Sequence, residues 1–240
     1  MLARMMKSTE KYSFPALTPQ IFDSARLVLS SRTNLRWLIG GSGSGKSTIT
    51  RSLSEWTGIP LYDMDEAVFG RFRFDPNRHP ATTAWFTAAN PLHWMLSLPW
   101  PEFDALYRAN NAEMLDLLAD DLAGRPDEPL LIDGGITHPS VLTQVIPAAR
   151  IICLERDEAQ RASEWDTAPG RAAMKAEVLA LPDGEALWRR FLDYDRRLTE
   201  TLGRESRACG IQFVSWGGDE TVTGLSARIL DLFDQLLLKP

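Results

Sequence analysis

The stretch LIGGSGSGKST, residues 38–48, constrains this chain more than any other. An apolar run from Leu35 to Ile39 feeds directly into glycines and serines, and a segment with helical character follows from Gly45 to Trp56. The order is strand, glycine loop, helix. Gly40, Gly45, Lys46 and Ser47 fill the pattern G-x-x-x-x-G-K-[ST], and the flanking strand and helix separate this phosphate-cradling motif from a chance glycine turn. A loop that wraps a triphosphate must aim several backbone N–H groups inward, which bulky side chains do not tolerate. Gly41, Ser42, Gly43 and Ser44 supply that freedom. The helix behind the loop directs its positive dipole end at the phosphates. Lys46 is then expected to reach the β and γ oxygens, Ser47 to ligate Mg²⁺, and Thr48 to meet the α-phosphate.

The rest of the chain supplies the sheet around that unit. Residues 18–31 read as a short leading helix with Thr18 as N-cap and Pro19 at the first helical position. IPLYDMD (59–65) is a second short strand ending in carboxylates. PLLIDGG (129–135) and ARIICLE (149–155) are near-continuous apolar runs, as expected of parallel strands covered on both faces. IQFVSW (211–216) is a last strand and Glu220 to Leu238 a last amphipathic helix. Phe103 to Leu122 carries a helical apolar stripe that ends at Gly124, a natural C-cap position. Residues 157–207 are polar and helix-rich, with breaks at TAPGR and LPDGE. Between Glu66 and Pro101 the pattern dissolves into Gly, Pro, Asn and His around Trp85, Trp94 and Trp100, too apolar for a disordered linker. That stretch is expected to be an irregular or partly helical insertion that covers something. The fold class is therefore α/β: a three-layer α/β/α sandwich around a mainly parallel five-stranded sheet.

Composition excludes several classes. At 240 residues the chain buries one large α/β domain, and its net charge of -6 sets up no field toward long nucleic acid or an anionic membrane. No apolar run approaches the roughly 18 residues of a membrane helix, and the N-terminal stretch has no secretory h-region, so a cytoplasmic protein is expected. The two cysteines, Cys153 and Cys209, read as reduced packing residues, and the three histidines and two cysteines show no zinc spacing. There is no N-K-x-D, and Asp133-Gly134-Gly135-Ile136 departs from D-x-x-G, which argues against a GTPase. PLLIDGG ends in a single Asp followed by glycines, unlike the adjacent acidic residues of ATP-driven motors.

Taken in order, these features resemble the nucleoside monophosphate kinase and shikimate kinase group of P-loop kinases. Asp63-Met64-Asp65 resembles the D-x-D such kinases place beside Mg²⁺ and the acceptor hydroxyl. Asp133-Gly134-Gly135 is similar to the turn at their acceptor pocket, and LERDEAQRASEW to their strand-to-lid helix, which carries an arginine, here Arg161. Arg190-Phe191-Leu192-Asp193-Tyr194 resembles their post-lid R-L-x-x-Y helix, and GIQFVSWGGDETV their last strand and base-contacting loop. The resemblance covers residues 35–238. It implies a P-loop kinase-like domain there, after an N-terminal extension at 1–34, with an acceptor-side insertion and helix at 66–128 and a lid-like segment at about 156–185. Adenylate kinases read D-G-x-P-R where this chain reads DGGITHP, so the arginine that grips an acceptor phosphate there is missing, which argues against a nucleoside monophosphate acceptor.

The resemblance implies an enzyme that uses ATP and Mg²⁺ to move the γ-phosphoryl group to a hydroxyl or phosphate of a small-molecule acceptor. Within it Asp65 is the general base or acceptor-orienting group, Asp63 acts on the Mg²⁺ water shell, and Asp133 competes for either role. Arg161, Arg171 and Arg190 are the candidates for the cation that arrives on lid closure. Arg71, Arg73, Arg78 and His79 form a local basic patch, and His138 is placed to line the acceptor pocket. Two other readings stand beside this one: a nucleotide-binding regulatory protein without catalysis, and a kinase acting on a macromolecular end. Acceptor identity and oligomeric state are left open.

Overall fold

The computed structural model describes residues 19–157, Trp165 and residues 169–237. Its strands are β1 (Leu35–Gly40), β2 (Leu61–Asp63), β3 (Leu130–Asp133), β4 (Ile151–Arg156) and β5 (Gln212–Trp216). The helices are α1 (Pro19–Leu29), α2 (Lys46–Thr57), α3 (Pro80–Thr87), α4 (Pro91–Ser97), α5 (Trp100–Leu122), α6 (Pro139–Leu142), α7 (Pro169–Leu179), α8 (Gly184–Ala208) and α9 (Val222–Leu237).

All five strands are parallel, in the order β2-β3-β1-β4-β5. Successive side chains of a strand point to opposite faces, so an all-apolar strand needs a helical layer on each side. Trp37 and Ile39 of β1, with Ile151 and Cys153 of β4, enter one core together with Leu29 of α1, Leu115 and Leu118 of α5 and Leu202 of α8. Leu38, Ile152 and Leu154 enter the other, against Ile49 and Leu53 of α2 and Leu225, Ile229 and Phe233 of α9. The three-layer sandwich expected from the sequence is present. No helix among the described residues is long and apolar enough to cross a membrane.

The insertion is more regular than its composition implied. It forms a turn at Met64–Glu66, a π-helical turn at Ala67–Arg71, then α3 and α4, and α5 starts at Trp100 rather than Phe103. Pro80, Pro91 and Pro101, which made the segment look broken, sit in the first turns of α3, α4 and α5, where the missing N–H has no intrahelical partner to lose. The insertion is bolted to α5 by buried carboxylates. Glu113 accepts from the Ala81 and Thr82 backbone amides at 2.9 and 2.7 Å, capping α3 from a distance. Burial pushes the Glu113 carboxyl above its ordinary value, and those amides pull it part of the way back.

Asp116, with no exposed side-chain surface, pairs with Arg78 at 2.6 Å and with His79 Nε2 at 3.0 Å. Burial acts to raise its pKa, but the bonds from His79 and Arg78 outweigh that and hold it low. Asp116→Ala is expected to destabilise the fold by about 3–5 kcal/mol, because it strands a buried histidine and an arginine; urea unfolding measures it.

Beyond the sheet a third core joins the insertion to α7 and α8, with Met95, Leu96, Phe103, Val178, Leu187 and Tyr194 buried in it. Trp188 stacks on Phe191 at 5.2 Å, and Phe103 meets Tyr194 at 4.5 Å. Trp94 and Trp100 pack against this core.

Candidate active site

In a parallel sheet every strand delivers its last residue to the same edge, and ligands of open α/β sheets bind there. Here that edge receives the Gly40 loop from β1, Asp63 from β2, Asp133 from β3, Arg156 from β4 and Trp216 from β5. Asp63 and Asp133 are register partners across β2 and β3. Sequence positions far apart thus meet because each ends a strand.

The loop shows the geometry its glycines permit. Gly45 has φ 85° and caps α2 with no side chain bonded to the helix's first amides, so the N-terminal N–H groups are presented outward. A Cβ at Gly45 would lie 2.5 Å from the Trp216 ring. That indole donates its N–H to the Ser44 carbonyl at 2.7 Å, and the Arg156 guanidinium lies 4.7 Å above the ring. Trp216 is a platform beneath the loop.

Lys46 leans across to the turn after β3, where Gly134 (φ 65°) and Gly135 (φ 75°) are both left-handed. A Cβ at Gly134 would sit 2.9 Å from Lys46 Cε, and one at Gly135 would sit 2.6 Å from Met64 Cβ. Trp37 fixes this turn by donating its indole N–H to the Gly134 carbonyl at 2.9 Å.

Asp133 is 5% exposed. Its Oδ1 is buried without a hydrogen-bond partner, and the Ser47 hydroxyl stands near enough to the carboxylate to favour its charged form. Burial pushes its pKa up; Ser47 and Lys46 oppose that, and Asp63 and Asp65 add to it. No group of three or more His, Cys, Asp or Glu suited to a metal occurs among the described residues. A hydroxyl beside a buried carboxylate with an orphaned oxygen is instead what a hard cation needs when phosphate and water complete its shell, so Ser47 and Asp133 fit Mg²⁺.

Asp63 Oδ1 accepts from the Glu66 amide at 3.0 Å and caps the turn that carries Asp65. Asp65 reaches solvent at the cavity mouth, yet the protein packed around it raises its pKa; Lys46 lowers it and Asp63 raises it further. Thr48 is exposed on the first turn of α2.

Two hollows flank the loop. A groove of about 990 Å³ runs over β4 and β5, from Gly41 and Ser44 past Arg156 and Trp216 to Glu220. On the other side a cavity of about 300 Å³ lies between the loop and the insertion, with Lys46, Asp65, Trp85, Tyr107, Thr137 and Asp195 in its wall. Two helix faces build that wall. Tyr107, Asn110, Asn111 and Met114 of α5, and Asp195, Leu198, Thr199 and Leu202 of α8, recur at helical spacing. Polar residues interrupting an apolar stripe at i, i+3 and i+4 were the available signal for them, and sequence reasoning passed over it. Trp37, Trp216 and Thr199, whose hydroxyl would meet a Cβ on Gly41 at 2.6 Å, were missed because their roles depend on contacts across the fold.

The structure gathers Gly40 to Ser47, Asp63, Asp65 and Asp133, and leaves other candidates elsewhere. Arg190 donates to the Leu96 carbonyl at the end of α4 at 2.8 Å. Arg171 stacks over Trp165 at 4.6 Å. Arg161 lies outside the described residues. The basic patch of the insertion is turned away: Arg71 lies over Tyr62, Arg73 donates to the backbone carbonyls of Gly70, Arg71 and Phe72, and Arg78 with His79 binds Asp116. His138 does not line the cavity. It is fully buried behind the wall, bonded to Asp104, Thr137 and Asn111. Both cysteines are free thiols.

No protein-family model and no curated protein matches the chain. Among solved structures it is similar to shikimate kinase from Acinetobacter baumannii in complex with shikimate, at 16% identity over 90% of this chain and 99% of that one, with a TM-score of 0.47. It is also similar to shikimate kinase from Aquifex aeolicus, at 18% identity over 85% and 98% and a TM-score of 0.43. A gluconokinase from Sinorhizobium meliloti is similar at 15% identity over 86% and 94%, with a TM-score of 0.46.

Proposed function

We propose that this chain is an ATP- and Mg²⁺-dependent phosphotransferase that moves the γ-phosphoryl group to a hydroxyl of a small-molecule acceptor held in the 300 Å³ cavity. One observation carries the reading: Lys46 and Asp65 stand together in the wall of a cavity that opens directly onto the phosphate loop. The donor lies along the loop, with its phosphates on the N-terminal amides of α2 and its base in the groove over β4 and β5. Ser47 and Asp133 would hold Mg²⁺, which when bound neutralises charge between the terminal phosphates.

Lys46 then stabilises negative charge on the transferring group. Asp65 orients the acceptor hydroxyl and takes its proton, and its raised pKa brings it closer to the working pH of a general base. The insertion excludes water from the acceptor side. The lid role of 156–185 belongs to the same proposal, with Arg161 or Arg171 as the closing cation; Arg190 instead holds α4 in place.

The test is ADP release from ATP and Mg²⁺ over a panel of nucleosides, sugars, hydroxy acids and amino alcohols, with product identified by mass spectrometry. No phosphorylated product from any acceptor sinks the proposal. With a productive acceptor, Asp65→Asn is expected to lower kcat about 100-fold with little change in ATP binding. Trp216→Phe removes the indole N–H that bonds the Ser44 carbonyl together with part of the ring beneath Gly45, so ATP affinity is expected to fall at least about fivefold by calorimetry.

A further inference from the structure

Asn111 of α5 is 1% exposed and lies in the wall of the 300 Å³ cavity. Its Oδ1 accepts from the Thr137 and His138 backbone amides, each at 2.8 Å, and so ties α5 to the chain that leaves the glycine turn after β3. A backbone N–H only donates, so the atom that meets these two amides is the side-chain oxygen, and the NH₂ group lies on the other side. The backbone thus fixes which way this asparagine faces. Among the described residues no protein group accepts from Asn111 Nδ2, and that nitrogen is not sealed inside the core. What it meets is the cavity.

The Thr137 hydroxyl stands in the same wall and is fixed in the opposite sense. Behind it His138 is fully buried, with Nε2 3.1 Å from Asp104 Oδ1 and Nδ1 3.0 Å from Thr137 Oγ1. The bonds from His138 and Arg108 hold the Asp104 carboxyl below its ordinary value against the effect of burial, so it is ionised and the proton between the two sits on Nε2. Nδ1 is then the ring atom that accepts, and the Thr137 hydroxyl donates to it. The alternative inward partner, Asn111 Oδ1, is longer at 3.2 Å and already holds two amides. With its proton drawn inward, Thr137 Oγ1 shows the cavity its lone pairs.

An N–H donor and an oxygen acceptor therefore stand side by side in one wall. A hydroxyl satisfies both at once, because its oxygen accepts from Asn111 while its proton goes to Thr137. A carbonyl or ether satisfies only the first and an ammonium only the second.

We propose that Asn111 and Thr137 form an acceptor subsite that reads a second hydroxyl group, in addition to the one that meets Asp65. The proposal rests on the reading that this cavity holds the acceptor. The acceptor class it defines is an alcohol with at least two hydroxyls, whose carbon frame packs on Trp85, Leu106 and Ile136 in the same wall. A molecule without the second hydroxyl leaves a nearly buried donor and its neighbouring acceptor unpaired, which is how a polar site rejects a deoxy analogue.

The test uses the full chain with Mg²⁺, a non-hydrolysable ATP analogue for binding and ATP for turnover. Three probes share one shape: 1-phenyl-1,2-ethanediol; 2-phenylethanol, which lacks the second hydroxyl; and 2-amino-2-phenylethanol, which replaces it with an ammonium. Calorimetry is expected to show the diol binding at least about 20-fold more tightly than 2-phenylethanol. Asn111→Asp keeps the oxygen that the two amides require and replaces only the NH₂, so an asparagine with a merely structural role would tolerate it. The variant is expected to hold its unfolding midpoint within a few degrees, yet to cut the diol's advantage to about threefold or less. It should also bind the amine at least about tenfold more tightly than the parent does, because a carboxylate oxygen now faces the ammonium. Thr137→Val is expected to lower the diol's advantage by about tenfold and Thr137→Ser to retain it. A diol advantage that survives both Asn111→Asp and Thr137→Val overturns the proposal. So does the absence of a diol advantage in the parent. ADP release is followed with the same probes: a diol advantage that Asn111→Asp abolishes, with no ADP formed, fails the phosphotransferase reading and leaves the subsite standing. ADP formed equally well from the diol and from 2-phenylethanol fails the subsite and leaves the phosphotransferase reading standing.

Discussion

Lys46→Ala is expected to reduce ATP turnover by about 1000-fold while leaving the fold intact. The ammonium is the only cation in the cavity wall among the described residues, so no neighbour there replaces its charge on the transferring phosphoryl group. Removing one preorganised donor of this kind typically costs two to three orders of magnitude, about 3–4 kcal/mol of barrier. The side chain is only partly buried and lies against the glycine turn after β3, so its loss opens little cavity and the unfolding midpoint should stay within a few degrees. Coupled measurement of ADP release and thermal unfolding separates the two effects. Turnover unchanged in this variant would falsify the assignment of the loop to catalysis.

Asp133→Asn should act in opposite directions on stability and activity. In the folded chain the carboxyl is buried with one oxygen unpaired, and its pKa is raised by burial and by Asp63 and Asp65. A raised carboxyl pKa means the folded state holds a proton that the unfolded chain has released. Stability of the nucleotide-free protein is therefore lost as pH climbs from the ordinary carboxylate value of about 4 through the folded value. The amide carries no charge, so the variant loses that pH dependence and gains roughly 1 kcal/mol at neutral pH. Mg²⁺-supported activity should fall by about 100-fold or more, because the cation loses its anionic protein partner. Urea titrations across pH and ADP release against Mg²⁺ concentration check both. A variant less stable than the parent at neutral pH, or one with unaltered Mg²⁺ dependence, contradicts this account.

The loop and the sheet were legible because their signals are local or periodic. G-x-x-x-x-G-K-[ST] encodes its backbone geometry in consecutive residues, and apolar runs such as LLID and IICLE state that a strand is buried on both faces. The insertion was harder to read. Its prolines signal breaks by composition, yet in the folded chain Pro80, Pro91 and Pro101 start helices, and α3 is capped by Glu113 from 32 residues downstream rather than by its own neighbours. The arginines show the same difficulty. Arg78, Arg108 and Arg190 look alike in a string of letters; their roles were set by Asp116, Glu205 and the Leu96 carbonyl, residues brought beside them only by α5 and α8.

What the sequence determined on its own was the phosphate cradle, the parallel α/β scaffold and the carboxylates that end β2 and β3, since each follows from short-range stereochemistry or from burial with period two. Only the tertiary structure decided that Trp216 supports the loop, that Asp133 keeps an oxygen unpaired beside Ser47, and that two helix faces enclose a cavity beside Lys46 and Asp65. The physical reason is that charge balance in a cavity is a sum over side chains from many segments, and no one segment carries that sum.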